Sequence, residues 1–479
     1  MTVSPLLNAA LFAIVAAVLL LLSATSTKKF LYGCGFVMPL FTPSLAVGVN
    51  LYWFNIIGLV ALATLPMAPT KARSWNLSKP FLYFVGYVMV VTVIWMAAEY
   101  GSLERYRLAK HIGLGPAQTL YKMPVQLAGF MMQCAAFFII PARATRREDI
   151  YAAFRGYLGG IAVSVATGIA LLLVTGSGVI DDRGPLTFSA GGAMLTRIGG
   201  LSGEPKTLGA FIVVGLGLLV ACGVGRPSKG DTVVRRPTLW ALAFALALFF
   251  TFSTSAWLAF AVVLIVVMFT RERLRRRASL LLVLVAAIAV VPQVPVLRSV
   301  IEERITKRVF ADDTQELEGS KDNYVLDVYG AKPHFVVTGF GMGGTDLEAT
   351  PFLLKERKYE LQLQYVRTPT PSTTGARLAG DLGLLGMLLL VYCGFSWSAR
   401  LRRGRLIPLA VFVLSTGAGI MFQSFNSIAP FLFLCGGGLA LVRLRERTSA
   451  AVPRGAESHA SDAEPALSPA GALGRISVD

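Results

Sequence analysis

Three charged side chains lie among glycines in the segment TRIGGLSGEPKTLG, residues 196–209, directly before a long apolar run. Arg197 supplies a planar, forked cation that suits phosphate, and Lys206 adds a second cation. Pro205 is typical of the first position of a helix, where free N–H groups and the dipole attract anions. Glycines such as Gly200 let the backbone approach another backbone or a ligand closely. Two interpretations follow: a site for an anion such as a diphosphate, or an arginine that reaches lipid headgroups beside a helix cap.

The composition places this segment in a membrane protein. The chain has 479 residues, of which 54% are hydrophobic and 15% charged, and its mean hydropathy is +0.63. A soluble domain carries about 25% charged residues. Apolar runs of roughly 17–25 residues recur along the chain, and each is long enough to cross a bilayer as a helix. The pattern predicts an all-α, polytopic transmembrane helix bundle of about 12 or 13 helices.

The apolar runs also predict where the helices lie, with boundaries good to about four residues. The neighbouring pairs within 31–68 and 238–270 are hard to divide, which leaves the count open. The predicted helices are 5–23, 31–49, 51–68, 80–98, 125–142, 153–174, 207–225, 238–252, 254–270, 278–296, 382–397, 406–422 and 427–443.

Four regions follow from this pattern. Residues 1–297 form transmembrane helices, and residues 298–381 form a large extracytoplasmic loop with short helix-compatible stretches, which we expect to be an ordered helical cap. Residues 382–447 form the C-terminal transmembrane helices. Residues 448–479 are rich in Ala, Pro, Ser and Gly and have too few large apolar residues for a core, so we expect a disordered cytoplasmic tail.

The net charge of +18 reflects topology in this chain. Most of the basic excess lies in short loops that fall on one side if the helices alternate, and the positive-inside rule makes that side cytoplasmic. Lys28 and Lys29 join that side only if the N-terminus is outside, so the N-terminal side stays open. The positions of the charges argue against a nucleic-acid partner. The five cysteines have no C-x-x-C spacing, so neither a disulfide framework nor a metal site is expected.

Four segments with glycine and polar positions follow one another along the chain. The first is R-x-x-G-x-x-x-E-P, formed by Arg197, Gly200, Glu204 and Pro205 directly before an apolar run. The other three are FTFSTSAWLAFAVVL (Phe250–Leu264), VVTGFGMGG (Val336–Gly344) and ARLAGDLGLLGMLLLV (Ala376–Val391).

In order and spacing these segments resemble the O-antigen ligase/polymerase family over roughly residues 150–445. The resemblance implies an integral membrane glycosyltransferase: a Wzy-type polysaccharide polymerase, an O-antigen ligase or a protein O-oligosaccharyltransferase. It implies undecaprenyl-diphosphate-linked glycans as donors at the outer face of the bacterial inner membrane, with no nucleotide sugar, no metal and no cofactor. The implied partners are the lipid-linked oligosaccharide, membrane lipid, and the chain-length regulator and flippase of the same pathway.

The sequence departs from the family pattern at two places. The family's ligases carry a His-Asn pair some ten residues before the fourth segment's acidic residue, where this chain has Ser372 and Thr373. The arginine of the family's S-R-G element is also missing, because STSA occupies Ser253–Ala256. These departures favour a polymerase, which joins one lipid-linked repeat unit to the next, over an O-antigen ligase, which transfers the glycan to lipid A–core.

The implied reaction needs cations that stabilise a leaving diphosphate and a base that activates an acceptor hydroxyl. Arg197 is the first candidate for the cation. His334, Glu204 and Asp381 are the candidates for the base, although His334 also fits a surface or packing role and Asp381 also fits a charge that complements a helix dipole. The glycine turn at Gly339–Gly344 either presents N–H groups to substrate or is a structural turn. The candidate substrate-binding residues are Gly200, Lys206, Gly339, Gly341, Arg367 and Arg377.

Two further function classes stay open. A transporter or lipid flippase would place charges inside the membrane segments, facing a central cavity, and the apolar runs contain almost none. A structural partner without catalysis in an assembly complex is allowed by the two departures from the family pattern. The expected function is nevertheless a membrane glycosyltransferase, multi-pass in the bacterial inner membrane, with its large loop in the periplasm.

Overall fold

The computed structural model describes a bundle of α-helices with two short β-hairpins. The helix predicted at 278–296, the tail beyond Ala451 and most of the 298–381 loop lie outside the described residues. The structure describes residues 5–40, 45–46, 50–51, 53–64, 79–99, 122–179, 187–190, 193–224, 233–269, 324–345, 347–348 and 373–451.

The described elements follow one another along the chain, and both hairpins are antiparallel. A short 3₁₀ turn, Phe425–Ser427, precedes the last helix. The elements are α1 (Pro5–Thr25), α2 (Thr27–Val37), β1 (Leu45–Ala46), β2 (Asn50–Leu51), α3 (Trp53–Thr64), α4 (Lys79–Glu99), α5 (Lys122–Arg143), α6 (Arg147–Thr175), β3 (Thr187–Ala190), β4 (Ala193–Thr196), α7 (Pro205–Val224), α8 (Pro237–Phe250), α9 (Thr254–Phe269), α10 (Tyr324–Ala331), α11 (Phe335–Thr338), α12 (Thr374–Arg403), α13 (Ile407–Ile420) and α14 (Ile428–Ala451).

Among the described residues, five helices are long and apolar enough to cross a membrane: α4, α5, α6, α12 and α14. Five shorter apolar helices accompany them: α1, α7, α8, α9 and α13. The expected class, an all-α helix bundle of a membrane protein, is confirmed. The pair within 238–270 divides cleanly, because α8 ends at Phe250 and α9 begins at Thr254.

The helix predicted over 31–49 is wrong in its second half. Helix α2 ends at Val37, and Leu45–Ala46 pairs with Asn50–Leu51 in a hairpin. The physical reason lies in the prolines of this stretch. Pro39 and Pro43 have no N–H to donate, so a helix that ran through them would lose hydrogen bonds of its backbone ladder. Hydrophobicity alone therefore overestimates the length of this helix.

The centre of the bundle is formed by α7 and α14. Every residue from Thr207 to Leu219 is buried, and the apolar window of α14 is the most buried of the five long helices, at 83%. Helices that are apolar on all sides are buried in this way. Beside them α2 packs tightly on α6, where a Cβ at Gly156 would lie 2.1 Å from the carbonyl oxygen of Tyr32. Small residues at such contacts let helix backbones approach each other closely.

Several helix ends meet at what we call the basic end of the bundle, which carries Lys28, Lys29, Arg143, Arg403 and Arg443. Arg143 Nη2 donates to the carbonyl oxygen of Thr64 at 3.2 Å, and its Nη1 donates to that of Ser23 at 3.5 Å. The ends of α1, α3 and α5 therefore lie together. Since α2 begins directly after α1, its lysines lie at this same end, a placement that the sequence left open.

The apolar helices α8, α9 and α13 are too short to span a bilayer core of about 30 Å. Helices α8 and α13 have 14 residues each, which is about 21 Å, and α9 has 16, which is about 24 Å. Helix α8 begins directly after Arg236 and α13 shortly after Arg405. When these basic flanks are aligned at one membrane surface, the far ends of both helices stop about 9 Å below the opposite surface. Irregular backbone at such depth is tolerated only where protein covers it or where it lines a wet cavity.

Candidate functional site

The loop that joins β4 to α7 is inserted deeply between helices. Gly200 has a φ of +52°, and a Cβ there would lie 1.9 Å from the carbonyl oxygen of Ser164 in the middle of α6. Ser202 Oγ lies 2.9 Å from Ser164 Oγ and donates to the carbonyl oxygen of Pro39 at 2.9 Å. Ser164 is about 16 Å along α6 from its end at Thr175. Gly200 is therefore a point of close backbone packing that holds the loop below the end of α6.

Arg197 lies at the start of this loop, half-buried. Its Nε donates to the carbonyl oxygen of Thr251 at 3.0 Å, and the next residue, Ile198, donates its N–H to Phe250 at 3.2 Å. These bonds attach the first of the four segments to the second, at the junction of α8 and α9. The guanidinium has five N–H donors, so one bond to a carbonyl orients the fork.

The other polar residues of the loop lie at the N-terminus of α7. Pro205 is the first residue of α7, as its sequence context predicts. The Glu204 side chain directly before it is exposed, and Lys206 is half-buried. A cation, an exposed carboxylate and a helix N-terminus thus occupy adjacent positions.

The second segment is joined in turn to the start of α12. Gln423, fully buried after the end of α13, donates Nε2 to the carbonyl oxygen of Ser255 at 2.9 Å. The carbonyl oxygen of Gln423 accepts from the N–H of Thr374 at 2.7 Å and from its hydroxyl at 2.9 Å. Gln423 is therefore a polar link between α9 and α12.

One turn into α12, Arg377 and Asp381 form an ion pair with 3.8 Å between Nε and Oδ2. The Arg377 guanidinium lies 4.2 Å from the ring centroid of Phe425 and donates to the side-chain oxygen of Gln126 on α5. The backbone N–H of Thr345 donates to Asp381 Oδ1 at 3.3 Å. Asp381 is 1% exposed. The carboxylate is thus buried inside a network, where it holds the Arg377 cation in place.

Helix α12 is interrupted at Gly383, two residues after Asp381. Gly383 has φ +63° and ψ −170°, a conformation that strongly favours glycine. The helix start predicted at 382 lies at this break, whereas the helix itself begins at Thr374. The Gly341 N–H donates to the Asp381 carbonyl oxygen at 2.7 Å, and the Phe340 N–H donates to Gly380 at 3.3 Å.

Two tyrosines bind further carbonyl groups at the break. The Tyr87 hydroxyl on α4 lies 3.0 Å from the carbonyl oxygen of Leu382, and the Tyr329 hydroxyl on α10 shares its proton between Ala379 and Gly380. Burial raises the pKa of the Tyr329 phenol above its ordinary value, and the charge of Asp381 raises it further. The hydroxyl therefore stays a donor at neutral pH.

The glycine turn of the third segment packs against this break. Gly339, Gly341 and Gly343 have φ values of +73°, +75° and +81°. A Cβ at Gly339 would lie 2.4 Å from the carbonyl oxygen of Asp381. The N–H groups of Gly339 and Gly341 donate to carbonyl groups of the protein. This geometry favours the structural-turn alternative over a turn that presents these N–H groups to substrate.

The remaining predicted residues lie apart from this network or outside the description. His334 is exposed directly before α11, with its ring centroid 4.3 Å from that of Phe335. Nearby, Lys332 forms a 2.7 Å ion pair with Glu348. Arg367 lies outside the described residues. Within the part of the chain that the structure describes, no group of three or more His, Cys, Asp or Glu side chains is placed to hold a metal ion.

Sequence reasoning missed Gln126 and Tyr329, which contact Arg377 and the break, and Gln423, which links α9 to α12. A glutamine within an otherwise apolar run is the signal that was available for Gln126, because a buried amide must find hydrogen-bond partners. Nothing local in the sequence marks Tyr329. A scan against protein-family models finds no match for this chain, and a search of the curated proteins finds none either.

Proposed function

We propose that this protein is a polysaccharide polymerase of the bacterial inner membrane. It joins glycan repeat units carried on undecaprenyl diphosphate at the outer face of that membrane. The observation that carries the proposal is the meeting of four distant segments at one end of the bundle, opposite the basic end. Arg197 contacts Thr251, Gln423 joins Ser255 to Thr374, and the glycine turn binds Asp381.

The depth and the charge of this end support lipid-linked chemistry. Loops between short helices place polar backbone below the outer membrane surface, where a diphosphate on a lipid carrier lies. The basic end is cytoplasmic by the positive-inside rule, so the opposite end faces the periplasm. Arg197 lies in the loop that leads into the α7 N-terminus, and a guanidinium and a helix N-terminus both favour a diphosphate.

The residues then take the following roles. Arg197 and Arg377 stabilise the charge that develops on the diphosphate. Glu204, the exposed carboxylate at the mouth of α7, accepts the proton of the acceptor hydroxyl. The hydroxyl oxygen bonds to the anomeric carbon of the donor glycan, the bond from that carbon to the diphosphate oxygen breaks, and undecaprenyl diphosphate leaves. Asp381 positions Arg377, and the exposed His334 takes no part.

The test is the length distribution of surface glycan in a deletion strain that carries either the wild type or Arg197→Ala. We expect single repeat units in the deletion strain and less than one-tenth of the wild-type long chains with Arg197→Ala. Arg155→Ala is the matched control, because Arg155 is an exposed cation on α6 nearer its basic end. Membrane levels of each variant are measured alongside.

Three outcomes would replace the proposal. Long chains that form but remain on the lipid carrier in the deletion strain would indicate an O-antigen ligase. Repeat units that stay on the cytoplasmic side would indicate a lipid or oligosaccharide transporter. Normal glycan with Arg197→Ala, at a wild-type level in the membrane, would leave the Arg197 role without support and favour a structural partner.

A further inference from the structure

An apolar cavity of about 280 Å³ lies against α12, between α4, α5, α13 and α14. Its wall on α12 is formed by residues from Leu378 to Trp397, a length of about 28 Å along the helix. Val391 and Phe395 line it and are also 50% and 62% exposed, so the cavity opens on the outer surface of the bundle. It is a groove that runs along α12 and faces lipid.

The end of this groove at Leu378 adjoins the charged network of Arg377 and Asp381. Leu378, in its wall, follows Arg377 directly, and Met421 and Ile428 line it on either side of the 3₁₀ turn that carries Phe425. Arg377 stacks over the Phe425 ring at 4.2 Å. A cation therefore stands at the end of an apolar groove almost as long as the hydrocarbon core is thick.

We infer that this groove holds the polyprenyl chain of the lipid-linked donor, with the diphosphate at the Arg377 end. This inference rests on the proposed function and adds the place where the lipid part of the substrate lies. A hydrocarbon chain that lies in this groove gains dispersion contacts with its apolar lining. The chain must also lie beside the charged network, since the diphosphate is attached to its end.

Gly394 gives a direct test, because it lines the groove and a Cβ there meets no atom within 4 Å. Gly394→Phe therefore fills the groove without displacing protein atoms around its Cβ. Gly86→Phe is the matched control, since Gly86 on α4 also has no atom within 4 Å of a built Cβ and does not line the groove. Gly394→Ala controls for the loss of the glycine itself.

The experiment is native mass spectrometry of the full chain in nanodiscs of phosphatidylethanolamine and phosphatidylglycerol, titrated with undecaprenyl diphosphate. We expect wild type, Gly86→Phe and Gly394→Ala to bind it with the same apparent Kd, and Gly394→Phe to bind at least tenfold more weakly. Equal binding by Gly394→Phe would overturn the inference. So would a phospholipid adduct retained in the groove in place of undecaprenyl diphosphate.

Thermal stability and Arg197→Ala separate the remaining cases. If Gly394→Phe alone lowers Tm relative to Gly86→Phe, the groove is filled by protein and the inference is wrong. If Arg197→Ala loses undecaprenyl diphosphate while Gly394→Phe keeps it, the groove assignment fails and the proposed function stands. If the wild type binds no undecaprenyl diphosphate, the proposed function fails and the groove assignment fails with it.

Discussion

The backbone N–H of Gly341 donates to the carbonyl oxygen of Asp381 at 2.7 Å, within the break of helix α12. This bond joins the segment that carries α10 and α11, which we call the cap, to helix α12 at the residue whose carboxylate pairs with Arg377. The cap and the charged network are therefore one mechanical unit. A change that loosens the cap is expected to displace the Arg377 guanidinium, although the cap residues do not touch a substrate in the proposed reaction.

The variant Tyr329→Phe tests the connection between the cap and α12, because the contribution of the Tyr329 hydroxyl to stability should depend on pH. The hydroxyl binds carbonyl groups of α12, so its loss lowers the free energy of unfolding by about 1 kcal/mol at pH 8. Burial raises the pKa of Tyr329 above its ordinary value of 10.0. Above pH 10 the unfolded chain loses the phenolic proton first, so this contribution to stability falls as pH rises. The Tm difference between wild type and variant should shrink between about pH 9 and 11.

Tyr392→Phe is the control for this measurement. Its side chain on α12 is 55% exposed, so the variant should have the wild-type Tm at pH 8. A Tm difference for Tyr329→Phe that stays constant up to pH 11 would contradict the assigned role of the hydroxyl.

Gly200→Ala tests the deep insertion of the loop that carries Arg197. Gly200 has a φ of +52°, and the added Cβ would lie 1.9 Å from the Ser164 carbonyl oxygen. Overpacking and strain of this kind lower stability by about 1–3 kcal/mol each. We expect a Tm several degrees below wild type and a loss of long glycan chains, because the loop can no longer place Arg197 against Thr251.

Gly129→Ala is the control, because a Cβ at Gly129 on α5 meets no atom within 4 Å. Replacing glycine by alanine in a helix stabilises it by about 0.5–1 kcal/mol, so Tm should rise slightly or stay unchanged. A wild-type Tm for Gly200→Ala would mean that the loop does not pack on α6.

The positions of helices such as α7 could be predicted because residues within and beside each helix determine where it begins and how far it runs. Pro205 fixes the start of α7, and the apolar run after it fixes the helix itself. The hairpin β3–β4 was missed, although Gly191-Gly192 between two short segments is a hairpin signal. The prediction of a helix over 31–49 followed the hydrophobicity of that stretch and gave too little weight to Pro39, so the predicted end of α2 was wrong.

The candidate site depends on contacts that no local pattern encodes. Arg197 was found because an arginine among glycines stands out in an apolar chain. Its Nε donates to a backbone carbonyl at Thr251, and every residue has such a carbonyl. The Gly339–Gly344 turn could be read as a ligand loop or as a structural turn until its position against Gly383 was known.

The variant Arg377→Met, compared with a double variant, distinguishes a role of Arg377 in protein stability from a role in binding the diphosphate. The variant leaves the Asp381 carboxylate, which is 1% exposed, without its cation, and breaking such a pair is expected to lower stability by about 3 kcal/mol. The double variant Arg377→Met/Asp381→Asn removes the buried charge as well and should recover most of the lost Tm. If Arg377 binds the diphosphate, both variants still lack long glycan chains.

The single variant Asp381→Asn completes the double-mutant cycle of Arg377 and Asp381. The amide keeps the size of the side chain and an oxygen for the Thr345 N–H, so Arg377 stays over Phe425. We expect reduced but measurable chain extension, because Asp381 positions the cation and does not touch the substrate. Long chains restored in the double variant would show that Arg377 serves stability only. A complete loss with Asp381→Asn at wild-type Tm would instead assign the carboxylate to proton transfer, the alternative that its position at the helix start left open.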